Sequence, residues 1–474
     1  MFTGFQECCT KTIITLGPSS NNEEILSELF KEGINIVRLN MSHGDHSWHK
    51  QNIELIRRVA KERGVNIAIM CDIQGPKVRV GRIAGGSAEL IDGSFLSITT
   101  EEIEGNGERF SCDHKELAKD VRLGDSVLID DGTMRLVVRE IKGGEIFCEV
   151  LNGGTLKPRK GINLPDTHIS LPTITEKDRA DIEFAIENEV DFLALSFVRN
   201  EECVREARKI IGGRLDIPLI PKIETKEALK HIDKILDISD GVLIARGDLG
   251  VELPAEEVPF YQNYIIRRAA IKKVPVIVAT QMLDSMMHNI RPTRAEVSDV
   301  ANAVFDGADV LMLSGETAAG KYPLEAFKTL KKIIAYAETT GIVRKVPMED
   351  RNDAPTIVEA IGEAVQRVSE NMSAKAIVAY SASGYTARVI SKYHIKTPLI
   401  GFTHSERVKR RMNMYWGVKA YNVKPVENSD DMIEEVADVL LREESMRKGD
   451  IVIITAGLPL SAHANTNFMK IHKL

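Results

Sequence analysis

The 474-residue chain is as informative in what it lacks as in what it contains. Its six cysteines (Cys8, Cys9, Cys71, Cys112, Cys148, Cys203) form no CxxC pair, and no histidine stands at a zinc-like offset from them. A disulfide scaffold and the common zinc modules are therefore excluded, and scattered thiols fit a reducing, cytoplasmic setting. No run approaches the ~18 apolar residues of a membrane span, and the opening MFTGFQECCTK lacks the apolar stretch of a signal peptide. A membrane partner is not expected. Nor is nucleic acid, because the net charge is -7 and non-specific nucleic-acid binding leaves a basic footprint. The GxxxxGK[ST] and GxGxxG phosphate fingerprints are missing, as are HExxH and GxSxG. Anionic substrates would have to be met by positive charge gathered locally.

What is present is a long α/β pattern. The length exceeds what one core usually serves, so two or three domains are expected. Eight short β-branched runs, at 12–17, 35–40, 66–73, 192–197, 218–223, 241–246, 274–280 and 308–314, alternate with helical-period segments. Runs such as NIAIMCDI are continuously apolar, as strands covered on both faces should be. Helices are predicted from about Asn22 to Gly33 and from about Asp45 to Gly64. This pattern predicts a (β/α)8 TIM barrel, residues 1–75 and 171–345, interrupted by a small β-barrel domain at 76–170 where the helical period vanishes. Such an inserted lobe can act as a lid. The polar stretch VPMEDRNDAP reads as a linker, and a doubly wound α/β domain is expected over 346–474.

Catalytic groups of barrels of this kind sit at the C-terminal ends of strands. Those positions hold Arg38, Asn40, Ser42 and His43 after the second strand, and Asp72, Lys77 and Arg79 after the third. Later strands end in Lys222 and Glu224, Arg246 and Asp248, Thr280 and Gln281, and Ser314 and Glu316. Lys222 and Glu224 are two apart, so both side chains face one side of a strand. A structural ion pair is the plain reading of an isolated KxE. At a barrel mouth a second reading opens: Glu224 and Asp248 hold Mg²⁺, and Lys222 faces an anionic substrate. Arg38 shares that rim with Arg79 and Lys222, a conflict of like charges that a phosphate would resolve. His43 could equally be a loop hydrogen bonder. The residues alone reach metal-assisted chemistry on a phosphorylated or carboxylated small molecule, and no further.

The segments TIITLGPSS, INIVRLNMSHGDH, CDIQGPKVRVG, LPTITEKD, PKIET, IARGDLGVELP and VATQMLDSM…RPTRAEVSDVANAVFDGADVLMLSGETAAGKYP resemble the pyruvate kinase family in its own order. The resemblance implies a Mg²⁺-dependent enzyme, with Mn²⁺ as a substitute, that moves the phosphoryl group of phosphoenolpyruvate to ADP, giving pyruvate and ATP. It also implies a homotetramer with a regulatory C-terminal domain. By the same resemblance Arg38 meets the substrate phosphate, Lys222 the transferring phosphoryl group, and Glu224 and Asp248 the metal. Gly247, Asp248 and Thr280 take the substrate carboxylate, while Asn40, His43, Arg79 and Lys177 match nucleotide-contacting positions.

One departure is informative. Potassium-dependent members use positions matching Asn40, Ser42 and Asp72, with Thr and Glu where this chain has Ile73 and Lys77. An ammonium from Lys77 near Asp72 is expected to replace the ion, so K⁺ should not be required. In the C-terminal domain, YSASGYTAR offers a hydroxyl-rich turn into a helix, and Ser381, Ser383, Gly384 and Thr386 are expected to cradle a phosphorylated effector, completed by TAGLPLSAHANTN. A plain capped helix start is the alternative. Two rivals are weighed: a sugar-phosphate sensor without catalysis, which predicts damage at Lys222, Glu224, Asp248 or Thr280, and an aldolase-like lyase, which leaves the nucleotide positions unexplained.

Overall fold

Continuous Ile, Val, Leu and Ala runs close into a barrel in the computed structural model, which describes residues 8–341, 355–426, 428–444, 446–460 and 465–474. The barrel strands are β1 (Lys11–Thr15), β2 (Ile36–Asn40), β3 (Ala68–Ile73), β4 (Phe192–Leu195), β5 (Leu219–Ile223), β6 (Val242–Ala245), β7 (Val276–Ala279) and β8 (Val310–Leu313). Each is parallel to the next, and β8 returns to β1 through Lys11↔Val310. The outer helices start and stop where the sequence indicates. Asn22 caps Glu23–Lys31 by accepting from the Ile25 amide. Asp45 caps His46–Arg63, which ends on Gly64 at φ 64°, a left-handed conformation that favours glycine.

Between β3 and β4 lies a seven-stranded mixed sheet with its own core, including Phe110, Leu136, Val150 and Leu156. Its strand Val78–Arg79 pairs with Gly161–Asn163, so the chain leaves and rejoins the barrel through neighbouring strands. Its two end strands, Val78–Arg79 and Arg109–Ser111, meet through the antiparallel bridge Val80↔Cys112, with the Gly81 amide donating to the Ser111 carbonyl at 2.7 Å and the Asp113 amide to the Arg79 carbonyl at 3.1 Å, so the sheet curls into the expected small barrel. The C-terminal sheet consists of β9 (Ala376–Tyr380), β10 (Leu399–Thr403), β11 (Val418–Asn422), β12 (Ile451–Ala456) and β13 (Phe468–Lys473). Its order is β11-β10-β9-β12-β13, parallel except for β13, with the direction of winding reversing at β9. Residues 346–354 of the expected linker VPMEDRNDAP and the 345/346 boundary lie outside the described residues.

The C-terminal domain closes the floor of the barrel. Met412 and Met414 belong to one apolar cluster with Ile13, Phe192, Ile220 and Leu243 of the barrel interior. Packing there is tight: a Cβ on Gly241 would lie 2.7 Å from Ile220 Cδ1 and 3.1 Å from Met414 Sδ. Asp309, at the start of β8, is fully buried and pairs with Lys392 and with His394 Nε2 (3.2 Å) from the C-terminal domain. It also accepts the Val276 amide at 2.7 Å.

Candidate active site

The C-terminal ends of β2 to β7 bring together most of the predicted rim. Lys222 Nζ lies 2.8 Å from Glu224 Oε1 and 3.4 Å from Asp72 Oδ2. Asp72 also accepts from Arg38 Nε at 2.7 Å, and Arg38 Nη1 donates to Thr15 Oγ1 at 3.0 Å. Lys222 donates to Ser196 Oγ (2.9 Å), whose own proton serves either the Ile73 carbonyl (2.6 Å) or Asp72 Oδ1 (3.1 Å). All four of Arg38, Asp72, Lys222 and Glu224 are buried. Buried charges persist only when paired in this way.

The charge states follow from these partners. Against the upward push of burial, Lys222 and Arg38 hold the Asp72 carboxyl below its ordinary range. Against the downward push of burial, Asp72 and Glu224 hold the Lys222 ammonium above its own. Glu224 goes the other way. Burial raises it, Lys222 opposes that, and the neighbouring Asp248 charge raises it further. The two carboxylates are thus close enough to repel, which is the condition a bound cation relieves.

Glu224 Oε2 accepts the Phe197 amide at 2.7 Å, whereas Oε1 is buried without hydrogen-bond geometry to any donor, despite its 2.8 Å contact with Lys222. An under-satisfied buried carboxylate oxygen beside a second carboxylate fits a hard divalent ion. Among the described residues no three His, Cys, Asp or Glu side chains converge as a metal site. The ion would take its remaining ligands from substrate and water, as Mg²⁺ commonly does.

Backbone strain gathers at the same mouth. Phe197, Thr280 and Gln281 follow their strands at φ 52°, 69° and 52°. A β-branched residue at positive φ is a genuine outlier, and such strain clusters at functional sites. Thr280 is held there by its neighbours: its Oγ1 accepts from the Gly247 amide at 2.7 Å, and its carbonyl accepts from Arg246 Nη2 at 2.8 Å. Arg246 is in turn fixed by Asp299 at 2.7 Å. A Cβ on Gly247 would find Thr280 nearest, at 3.5 Å, an ordinary van der Waals contact, so protein packing does not demand glycine there. Beside it, a cleft of about 550 Å³ opens between Asp131 of the insert and Gly247, Asp248 and Gln281 of the barrel.

Other predicted residues fall on the rim or away from it. Lys177 donates to the Met41 carbonyl (2.7 Å) and Asp181 (2.6 Å), which sets it over the loop carrying exposed Ser42 and His43. Asn40 Oδ1 accepts the Ser42 amide at 3.1 Å. Arg79 bonds within the insert, through Nη1 to the Arg159 carbonyl at 3.1 Å. Glu316 caps backbone amides of Leu283 and Ser314, a structural role.

Lys77 corrects an expectation. Its ammonium lies 3.2 Å from Asp248 Oδ1 and 3.7 Å from Asp131, and no Lys77–Asp72 pair occurs among those of the described residues. Asp72 already has Arg38 and Lys222, so the nearest uncompensated carboxylate to Lys77 is Asp248.

In the C-terminal domain Ser381 Oγ accepts the Gly384 amide (3.0 Å), and Thr386 Oγ1 meets Thr466 Oγ1 (2.6 Å). The final loop therefore does reach the turn, although its residues 461–464 lie outside the described ones. Ser196, Thr15 and Asp299, the partner of Arg246, are site residues that the sequence pattern does not single out. The available signal for Ser196 was a serine closing the apolar strand FLALSF at the mouth end.

Comparison with known proteins agrees with this geometry. Residues 8–327 match the family model "Pyruvate kinase, barrel domain" and residues 359–472 match "Pyruvate kinase, alpha/beta domain". The chain is 44% identical to the pyruvate kinase of Geobacillus stearothermophilus over 98% of its own length and 80% of the relative's. It is 44% identical to that of Clostridium perfringens over 98% and 99%. A crystal structure of a pyruvate kinase from Cryptosporidium parvum superposes with a TM-score of 0.91 at 38% identity, covering 98% of this chain and 96% of that one. With both halves of the molecule matched and the acidic pair, the lysine and the threonine all at the barrel mouth, the chain belongs to the pyruvate kinase family.

Proposed function

We propose that this site carries out the family reaction, transfer of the phosphoryl group of phosphoenolpyruvate to ADP, with Lys222 facing the group in flight. The observation that carries the reading is the Lys222 ammonium, buried yet held charged between Asp72 and Glu224 at the barrel mouth. Phosphoryl transfer asks mainly for positioning and charge neutralisation. A fixed ammonium offsets negative charge as it develops, at no reorganisation cost. Arg38, locked by Asp72 and Thr15, is pre-oriented for the substrate phosphate. The amides of Gly247 and Asp248, with the Thr280 hydroxyl, suit the substrate carboxylate, and Gly247 and Asp248 line the cleft that would admit it.

Glu224 and Asp248 would hold the divalent ion, Mg²⁺ or Mn²⁺, which when bound polarises the departing oxygen. Before it binds, Asp248 must part from Lys77. Asn40, His43, Arg79 and Lys177 are assigned to the nucleotide, which the insert would cover to exclude water. Lys77 replaces a family glutamate and adds positive charge beside the metal position, which supports independence of K⁺. The remaining expectations are a cytoplasmic homotetramer and a phosphorylated effector at Ser381, Ser383, Gly384 and Thr386.

A coupled assay for pyruvate from phosphoenolpyruvate and ADP tests the reaction, and Lys222→Ala should lower kcat by about 10²–10³. An inactive wild type would leave the sensor reading standing. Activity in buffer free of K⁺ and NH₄⁺ should not rise many-fold on adding KCl; a large activation refutes independence.

A further inference from the structure

A second concentration of positive charge lies at the opposite end of the barrel, where no step of the reaction takes place. The helix Glu406–Arg411 of the C-terminal domain meets the residues ahead of β4 and β5, and Arg388 of the helix Tyr385–Ser391 meets Asp240 ahead of β6. Arg410 Nε pairs with Asp191 at 2.8 Å, but Asp191 already holds Arg57 at 2.7 Å. Arg411 Nη1 reaches Asp216 at 2.6 Å, and Arg388 Nη1 stands 3.7 Å from Asp240, which also serves Arg208 at 2.7 Å. Among the described residues Arg407 bonds the Val190 carbonyl, at 3.1 Å, and pairs with no carboxylate. Including Glu189, which Arg407 feels at longer range, six guanidiniums face four carboxylates.

The excess shows in the hydrogen bonding. Among the described residues Arg388 Nε, Arg407 Nε, and both Nε and Nη2 of Arg411 are buried with no acceptor. Arg411 itself is only 5% exposed, while its partner Asp216 projects into solvent. Burial, and then the Arg411 charge, push the Arg407 guanidinium down to about 10. Arg388 and Arg411 both act on the buried Tyr415 hydroxyl, so the three guanidiniums share one neighbourhood. Buried donors without acceptors are rare and call for a partner. Guanidinium forks match tetrahedral oxyanions in geometry and charge.

We infer that this seam is a phosphate-type oxyanion site, formed by Arg388, Arg407 and Arg411 between the C-terminal domain and the barrel floor. The bound group is either free phosphate or the phosphate of a small ester. It would supply the acceptors the four donors lack and balance the surplus charge. Arg388 stands on the helix that the 381–386 turn opens, but its guanidinium, like that of Arg411, is directed to the barrel-floor aspartates, at the end of the barrel away from the mouth. The aspartates of the site, Asp191, Asp216 and Asp240, stand one to three residues ahead of β4, β5 and β6, the strands that lead to Ser196, Lys222 and Asp248.

The test is thermal unfolding of the full chain at fixed ionic strength, titrating inorganic phosphate or glycerol phosphate against chloride. A ligand that binds only the folded state raises the melting temperature with concentration. A saturable rise is expected in wild type, Lys222→Ala and Ser383→Ala, and its loss in Arg411→Gln. Whichever probe acts at lower concentration identifies the source. Should Arg411→Gln fail to fold, Arg407→Gln takes its place. In chloride alone Arg407→Gln should melt no lower than wild type, because it removes an unbalanced charge. An equal rise in the arginine variants, the same rise with chloride, or a marked loss of stability in Arg407→Gln without phosphate overturns the site.

Discussion

Thr280 pays for its place with a backbone that a threonine resists. At φ 69° a β-branched side chain is strained by roughly 1–3 kcal/mol, and Arg246 and Gly247 hold it there. Thr280→Gly should therefore melt above Thr280→Ala, since glycine accepts that conformation and alanine does not. Both should lose activity, because both lack the hydroxyl. Equal melting temperatures would show that the strain is not borne at this residue. Glu224→Gln keeps the shape and removes the charge, so the stabilisation of the protein by Mn²⁺ in a melting experiment should shrink or vanish. At this scale the site was partly legible. Lys222 and Glu224 stand out as two charges in an apolar strand, whereas a serine in the same setting, Ser196, is unremarkable until its three partners are seen. Lys77 was misplaced because its partner depends on how the insert folds back over β6, a contact 171 residues away in sequence.

The elements that join the barrel to its insert carry their own constraint. Gly75, between β3 and the first insert strand, has φ 70°, and a Cβ on it would meet the Ser196 carbonyl at 2.5 Å. Its amide donates to Asp178 Oδ1 at 2.9 Å. Gly75→Ala should cost more than about 1 kcal/mol through backbone strain alone and should displace Ser196, lowering kcat through the Lys222 ammonium that Ser196 helps to hold. Unchanged kinetics would mean that the hinge and the mouth are independent. The eight barrel strands were readable because strands buried on both faces have no polar alternation to blur them. The insert was less so, since the pairing of short antiparallel strands is decided by non-local packing rather than by local pattern.

For the whole molecule the controlling contact is Asp309. It is buried with Lys392 and His394, and together they join barrel and C-terminal domain. Asp309→Asn would leave the Lys392 ammonium buried without a counter-charge, at a cost of about 3–5 kcal/mol. The pH dependence has two legs. Burial holds His394 below its ordinary value. The unfolded chain then takes up a proton near pH 6.5 that the folded one refuses, and stability falls as pH drops below about 6.5. Asp309, held low by Lys392 and His394 against burial, contributes stability above about pH 4 that is lost on further acidification. His49 and His472 are also held low by burial and add to the first leg, so melting curves from pH 8 to pH 4 should show it in wild type and a smaller one in His394→Phe. A flat profile would contradict the assignment.

The methionines under the barrel have a consequence for how the chain can be divided. Met412 and Met414 fill the bottom of a cylinder whose lining they share, so the border between two sequence families runs through the middle of one oily interior. A protein cut near residue 341 would expose that interior to water. Such a fragment should precipitate or bind hydrophobic dyes, whereas co-expressing the missing piece should recover a soluble, joined particle.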